Sequence, residues 1–481
     1  MNRSAILAVL PLVFAGSTAF AEATDAGAAR LTEVFQTYLG TVDGVVTVEV
    51  DGDSYTLTLD AAPFTALAAE SGGTAAISPL IMSLTDNGDG TWDVTQDQAL
   101  SMTMSTPGQV DMTVAVDNLT SDGVFDEALM SFTSSSSEMT NLKMVQKIID
   151  ASAGEMTITI DVASASYETT GVVGVAGGVD STVTMQMTGF TEAFVLPPSE
   201  GAPGMPVSVT AESITQTGKV DGLRPDAFYQ AIAWFVANPG AEAMMAQKAG
   251  MKAILQAGLP LFGAMTTNST ATNIAITTPM GGVGMAEMGI DLNMNGVVAE
   301  GKVQQAIAIK GLTLPVDMMP AWAVPILPED MSIDLQVTGF DAAAAANVAM
   351  GLFDLPAGVA PDAAFDAAML AALLPTGSVT IGLNPGSISG EGYALTYEGS
   401  MNAGPESDIP TGTAKITLTG IETLQAALDA APDDIKGQAM MGVGMAQGMA
   451  KTDESGALVW EIDASTPGSL SVNGTQMMGG N

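Results

Sequence analysis

The chain of 481 residues contains neither cysteine nor histidine. Without cysteine there is no disulfide, no thiolate metal ligand and no thiol nucleophile. Without histidine there are no Ser-His or Cys-His pairs, and most zinc, copper and haem-iron sites lose their usual ligand. No Ser-x-x-Lys motif takes their place. Aromatic residues make up only 5% of the chain, and tryptophan is confined to Trp92, Trp234, Trp322 and Trp460. That is thin provision for a sugar-gripping cleft. Basic residues are also scarce, 13 against 53 acidic, giving a formal net charge of −40. A field of that sign repels nucleic acid and anionic lipid headgroups, so no nucleic-acid partner is expected. Because 47% of residues are hydrophobic and only 14% charged, the chain is no disordered acidic tail. Its acidity reads as a solubilising surface.

What is present begins with "MNRSAILAVLPLVFAGSTAFA", residues 1–21. Arg3 supplies a positive start, Ala5 to Ala15 an apolar run, and Ala19-Phe20-Ala21 an A-x-A cleavage signal. A signal peptide over 1–21, cut between Ala21 and Glu22, is therefore expected. The run is shorter than the roughly 20 apolar residues of a membrane span and is interrupted by Pro11. Ser17 stands where a lipoprotein would place its acylated cysteine. The expectation is an exported protein, periplasmic where the cell is Gram-negative, with no transmembrane segment in the mature chain. In that oxidising compartment it uses no crosslink, so its stability must come from packing.

Beyond the leader, period-two alternation of apolar and polar residues dominates the chain and predicts strands. It runs through Val46, Val48 and Val50; Tyr55, Leu57 and Leu59; Leu80, Met82 and Leu84; Leu100, Met102 and Met104; Val110, Met112, Val114 and Val116; and Met156, Ile158, Ile160 and Val162. Later copies include Val183, Met185 and Met187, then Ile333, Leu335 and Val337. Such one-sided strands suit antiparallel sheets with one packed and one wet face. Helical spacing appears at Leu31, Val34, Phe35, Tyr38 and Leu39, and again at Phe228, Ile232 and Phe235, with Ala241–Ala257 expected as the partner helix. Further helices are expected over 342–353, 362–374, 422–430 and 433–450. Three strands end in Thr-Gly, at Gly189, Gly339 and Gly420, where the chain is expected to bend sharply. Helices follow the second and third.

The fold class expected is thus α+β and β-dominated: long, curved, mainly antiparallel sheets with helices packed at strand-to-helix corners. Proline-rich breaks at 196–206 and 314–331 divide the mature chain into a β-rich region 22–200, a middle region 201–320 with a helical hairpin and strands, and a β/α region 321–481.

Several motifs invite chemistry and decline it. In "TDNGDGTWDV", Thr85 and Gln96 would fill the first and last positions of a twelve-residue calcium loop, so two strong ligand positions lack a carboxylate. The flanks alternate as strands, and the segment reads as a hairpin turn. "GVVAEGKV", 296–303, has phosphate-loop spacing, but Val303 replaces the hydroxyl that would hold magnesium, and a strand follows. "GSISG", 386–390, places Ile388 where a nucleophilic serine would stand. A carboxylate pair for hydrolysis is the one enzymatic alternative left by so many acids.

The positive oddity is 32 methionines. Methionine fills cores, and it also lines adaptable apolar grooves. Met102, Met104, Met112, Met185 and Met187 are the apolar-groove candidates. No catalytic, cofactor-binding or metal-ligating residue is nominated, and no cofactor is expected.

With its leader, the "NGDGTWDV" hairpin, the Thr-Gly corners and the terminal "GSLSVNG" (468–474), the chain resembles an uncharacterised exported family of alphaproteobacteria, domain of unknown function 2125. The resemblance implies an exported address and a fold, and carries no catalytic residues with it. More loosely, the chain looks like the β-groove proteins that shield lipid between membranes. The functional expectation is a non-catalytic periplasmic protein that binds an apolar ligand, a lipid or an envelope component. The alternatives are a structural or protein-interaction role without a small ligand, and a carboxylate hydrolase. Oligomeric state is left open.

Overall fold

The structure, a computed structural model, describes residues 22–63, 65, 72–150, 154–197, 204–356, 358–405 and 410–479. The expected leader with Ala21, and residues 198–203 of the proline-rich break at 196–206, lie outside them. The described chain is β-dominated, and every strand pair with a defined register is antiparallel. Two compact units emerge. The first comprises residues 1–208, 213–263 and 350–360; the second comprises 209–212, 264–349 and 361–481. One division thus falls at Gly263, inside the expected middle region.

In the first unit, helix α1 (Asp25–Leu39) opens the chain. Thr24 caps it by accepting a hydrogen bond from the Gly27 amide at 3.1 Å. Its inner face buries Ala28, Leu31 and Phe35. That face lies on strands β1 (Val46–Asp51), β2 (Ser54–Leu59), β4 (Leu80–Asp86), β5 (Thr91–Thr106) and β6 (Val110–Asp126). Val46, Tyr55, Leu57, Leu84, Trp92, Val94 and Phe125 complete this core. Each fully buried Leu or Phe stabilises the unit by about 1.5–3 kcal/mol. Gly27 permits the close approach of α1: a Cβ there would lie 2.1 Å from the Tyr55 hydroxyl. That hydroxyl accepts a bond from the Thr24 amide at 3.2 Å.

Long strands extend the sheet beyond this core. They are β7 (Ser131–Asp150), β8 (Gly154–Val173), β9 (Val179–Leu196) and β10 (Met205–Leu223), while the short β3 (Thr74–Ile77) pairs with β5. Gly189 has φ +63, but it sits inside β9 as a bulge and no helix follows it.

Helix α2 (Pro225–Ala237) carries the expected Phe228 and Phe235, yet these are 44% and 51% exposed, and the residue it buries is Ala227. The expected single helix over 241–257 is two, α3 (Ala241–Ala246) and α4 (Lys248–Gly258), broken at Gln247. The break has a local cause. The Trp234 indole donates to the Gln247 carbonyl at 3.3 Å, and a Cβ on Gly250 would lie 3.1 Å from its Nε1. Segment 350–360 belongs to this unit, where Lys252 pairs with Asp354 at 2.6 Å and Lys248 donates to the Leu355 carbonyl.

The second unit repeats the scheme. Strands β11 (Ala264–Thr278), β12 (Gly281–Asn295), β13 (Gly301–Lys310) and β14 (Asp330–Phe340) pair in chain order. After β14 come Gly339, φ +85, and the helices α5 (Ala342–Ala349) and α6 (Ala363–Leu373). Strands β15 (Val379–Gly390), β16 (Tyr393–Ala403) and β17 (Thr411–Thr419) continue the sheet. Gly420, φ +72, opens α7 (Ile421–Asp429), and α8 (Asp433–Met449) follows. The short β18 (Lys451–Thr452), then β19 (Leu458–Ala464), β20 (Leu470–Val472) and β21 (Thr475–Met478) close the chain. The phosphate-loop lookalike has a structural use: the Val298 carbonyl accepts from the amides of Ala342 and Ala343 and so ties down the start of α5.

Tyr38 and Tyr229 meet edge-to-face, ring centroids 6.1 Å apart, where α1 meets α2. Burial first, and the neighbouring Tyr38 second, push the Tyr229 hydroxyl up to about 12. A raised acid holds its proton longer in the folded state, so this contribution is present below the unfolded value of about 10 and lost as pH rises toward 12. Stability should fall across that window by about 1.4 kcal/mol per pH unit, and Tyr229→Phe should flatten the slope in urea titrations. Gly189→Val should cost about 1–3 kcal/mol by the same measurement, because φ is positive and a Cβ would sit 2.8 Å from the Ala163 methyl. Unchanged midpoints would refute either statement.

Candidate functional site

The register carries one apolar face from strand to strand. Burial alternates along β5 without interruption, with the even-numbered residues inward from Trp92 to Leu100 and on to Met102. Directly opposite residues in an antiparallel pair share a face. Opposite Trp92, Leu100, Met102 and Met104 lie Phe125, Val116, Val114 and Met112 on β6. Opposite Val110 and Val114 lie Ile148 and Met144 on β7, and opposite these Met156 and Ile160 on β8. Ile158 then meets Phe194 on β9, and on the other side Ile77 and Ala75 of β3 meet Met102 and Met104. The outward face of the same strands is hydroxyl- and carboxylate-rich: Thr103, Thr113, Ser134, Ser136, Glu138, Thr157 and Thr170 all take that side.

Five methionines singled out from alternation therefore share one face. Met104 pairs directly with Met112, and Met102 is the inward neighbour of Met104 along β5. Met185 and Met187 lie three strands from β6, opposite Tyr167 and Ala165. Met102, Met112, Met185 and Met187 are half-buried, and Met104 is 38% exposed. The closed core stops at Phe125, with Phe132 against its edge. Beyond it the face is mainly apolar, with Met144, Ile148, Met156, Ile158, Ile160 and Phe194 half-buried, and with Gln146 opposite Met112 and Glu192 opposite Ile160 among them.

Alternation by itself would not keep this face in phase. Inward residues on β7 are Met139 and then Leu142, three apart, and on β8 Ala165 and Val162, also three apart. An extra residue enters each of strands β6 to β9 at one level. Asn141 takes it up at φ +51 and Gly189 at φ +63, with Ala163 between them. The Asn141 amide donates to Asp117 at 3.0 Å. The second unit carries the same device: Asn273 at φ +48 donates to Glu212, Gly311 stands at φ +60, and Ala286 lies between. Sequence reasoning missed this pairing. An Asn or Gly placed where an alternating run changes phase was the available signal.

Polar groups confirm the sidedness. No polar or charged residue is buried among the described residues. Among the described residues, five lysine–carboxylate pairs lie at or near the surface, and such pairs contribute little. In the 86–91 bend, Asp86 accepts from the Gly88 amide at 2.8 Å, and Asp89 accepts from the Thr91 amide at 3.0 Å and hydroxyl at 2.6 Å. The Thr91 hydroxyl holds the Asp89 carboxyl below its ordinary range. Asp86 pairs with Trp92 across the β4–β5 hairpin, so these acids brace a turn. Among the described residues no group of three acidic side chains gathers as for a metal, and no helix is long and apolar enough to cross a membrane.

One polar atom is out of place. Gln96 lies on the inward side of β5 opposite Ser121, and its buried Nε2 has no hydrogen-bond partner. It sits where the closed core gives way to the open face.

Comparison with protein-family models, curated proteins and solved structures returns no match.

Gln96→Leu should raise stability by about 1–3 kcal/mol, since it removes an unsatisfied buried amide. A lower denaturation midpoint for this variant would mean that the amide is satisfied in solution.

Proposed function

We propose that the protein is an exported, periplasmic, non-catalytic binder of an apolar ligand, a lipid or an apolar envelope component, and that the open sheet face of the first unit receives it. The observation that carries this reading is the apolar face running from Ile77 and Met102 through Met112, Met144 and Ile160 to Phe194, beyond the reach of the closed core. Soluble proteins rarely leave such a continuous patch without use, because exposed apolar surface invites association. Methionine suits the task, since its flexible thioether adapts to ligands of irregular shape. Membership of the exported family of domain of unknown function 2125 belongs to the same proposal, supported by the leader "MNRSAILAVLPLVFAGSTAFA" and the closing "GSLSVNG". So does the packing of helices at strand-to-helix corners, supported by Gly339 and Gly420 ahead of α5 and α7.

Native mass spectrometry of the gently extracted protein tests the reading. A co-purifying lipid mass is expected. Val114→Glu, which puts a carboxylate on the apolar face, should cut its occupancy at least about tenfold, a charge in an apolar site being costly by several kcal/mol. Thr113→Glu, on the opposite face, should leave it unchanged. A bare protein mass throughout would favour a purely structural or protein-interaction role.

A further inference from the structure

The unpartnered Gln96 amide belongs to a polar row that crosses the face of the first unit. Gln96 stands opposite Ser121, Ser121 opposite Ser137, and Ser137 opposite Tyr167, so all four share one face. Gln96, Ser121 and Ser137 are half-buried, and Tyr167 is 39% exposed. On one side of the row lies the closed core with Trp92 and Phe125. On the other, the residues of β7 on this face run Met139, Leu142, Met144 and Ile148, interrupted by Gln146. At roughly 3.3 Å per residue, the strand from Ser137 to Ile148 is about 35 Å long. That exceeds one acyl chain, which spans about half of a 30 Å hydrocarbon core. The face thus changes along its strands from amide and hydroxyl to mainly hydrocarbon.

Gln96 is not used to hold the sheet together. Its neighbour along β5 on that face, Gln98, donates to the Pro79 carbonyl at 3.0 Å and accepts from the Ile81 amide at 2.9 Å, which ties the start of β4 to β5. The Gln96 Nε2 makes no such bond, and a buried donor without a partner lowers stability. Such a group in a native fold asks for a partner from outside the protein. Because the residue as a whole is half-buried, rotation of its side chain presents that N–H to the open face. An N–H calls for an acceptor, and the Ser121, Ser137 and Tyr167 hydroxyls can each donate or accept. No cation stands in the row, Glu192 lies on the same face opposite Ile160, and the chain carries a net charge of −40. An anionic headgroup would meet repulsion here; an uncharged one would meet hydrogen bonds.

We infer that Gln96 selects the ligand: it donates its amide N–H to the ester carbonyl of an uncharged acylglycerol, whose hydroxyl lies over Ser121 and Ser137 and whose chains run along the strands toward Met144 and Ile148. The inference rests on the reading of this face as a binder of apolar ligands and adds to it a ligand class and an orientation. The test is to incubate the full chain with equimolar dioleoylglycerol and its dialkyl ether analogue, which keeps the hydroxyl and the chains but has no carbonyl, and to release and quantify the bound lipid. The ester should be retained over the ether about tenfold, the effect of one hydrogen bond to an otherwise unpaired donor. Gln96→Leu should abolish that preference while raising the denaturation midpoint, so a failure to fold cannot mimic the result. Gln146→Leu, which removes an amide from the same face opposite Met112, should leave the preference intact. Dioleoylphosphatidic acid, with the same esters and a charged phosphate, should compete at least about tenfold less well than dioleoylglycerol; equal or better competition overturns the uncharged headgroup. Equal retention of ester and ether, or a preference that survives Gln96→Leu, overturns the role of Gln96. Retention of neither, while lipid still co-purifies with the native protein, overturns the ligand class and leaves the underlying reading standing. Absence of co-purifying lipid as well removes that reading with it.

Discussion

Antiparallel register is the constraint on which the rest of the structure depends. A slip of one residue turns every side chain of a strand to the other face. In this chain the faces are so unlike that a slip would place Thr and Asp against the α1 core. Trp92 opposite Phe125, Met104 opposite Met112 and Ile307 opposite Ile333 are individually modest contacts. Together they hold a more buried and a less buried side in the first unit, whereas in the second unit Ile290, Ile333 and Leu335 are exposed. With no cysteine to form a disulfide, and with the lysine–carboxylate pairs among the described residues at or near the surface, cohesion falls to packing and to the strand ladders.

The bulges are what allow long strands to satisfy that constraint. A strand of 20 residues such as β7 or β8 twists along its length, and an inserted residue bends it and adds local twist at the cost of reversing the alternation. Were β8 alone to carry the extra residue, half its side chains would face the wrong way against β7 and β9. Insertion at one level in each of β6 to β9 keeps partners matched. The recurrence of Asn, Ala and Gly at 141, 163 and 189 and again at 273, 286 and 311 shows that both units use the same solution. Glycine or asparagine is needed where φ turns positive. The alanines keep the crossing clear, since a larger side chain at Ala163 would collide with Gly189.

Alternation made most strands legible in the sequence, and the places where that reading stops are informative. The recognisable runs end at Val116, at Val162 and at Met187, each at the bulge, because the phase of the pattern changes there. Each looked like a short strand followed by noise, although the strand continues. The β4–β5 hairpin was legible because Asn, Asp and Gly at its bend have only one economical conformation between two strands. The break at Gln247 was not, since it depends on Trp234, which is distant in sequence. The five groove methionines could be assigned to a strand face from spacing alone. Which of them adjoin required the pairing of β5 with β6 and of β8 with β9.

The apolar face of the first unit is not uniform. Gln96 and Glu192 lie on it, opposite Ser121 and Ile160, and put polar atoms within the apolar field. Under the proposed function, a ligand there can carry a polar group. The alternation that separates an apolar from a polar face along these strands thus also decides where polar groups fall within the apolar one, because each bulge carries the pattern across a change of phase without breaking the pairing.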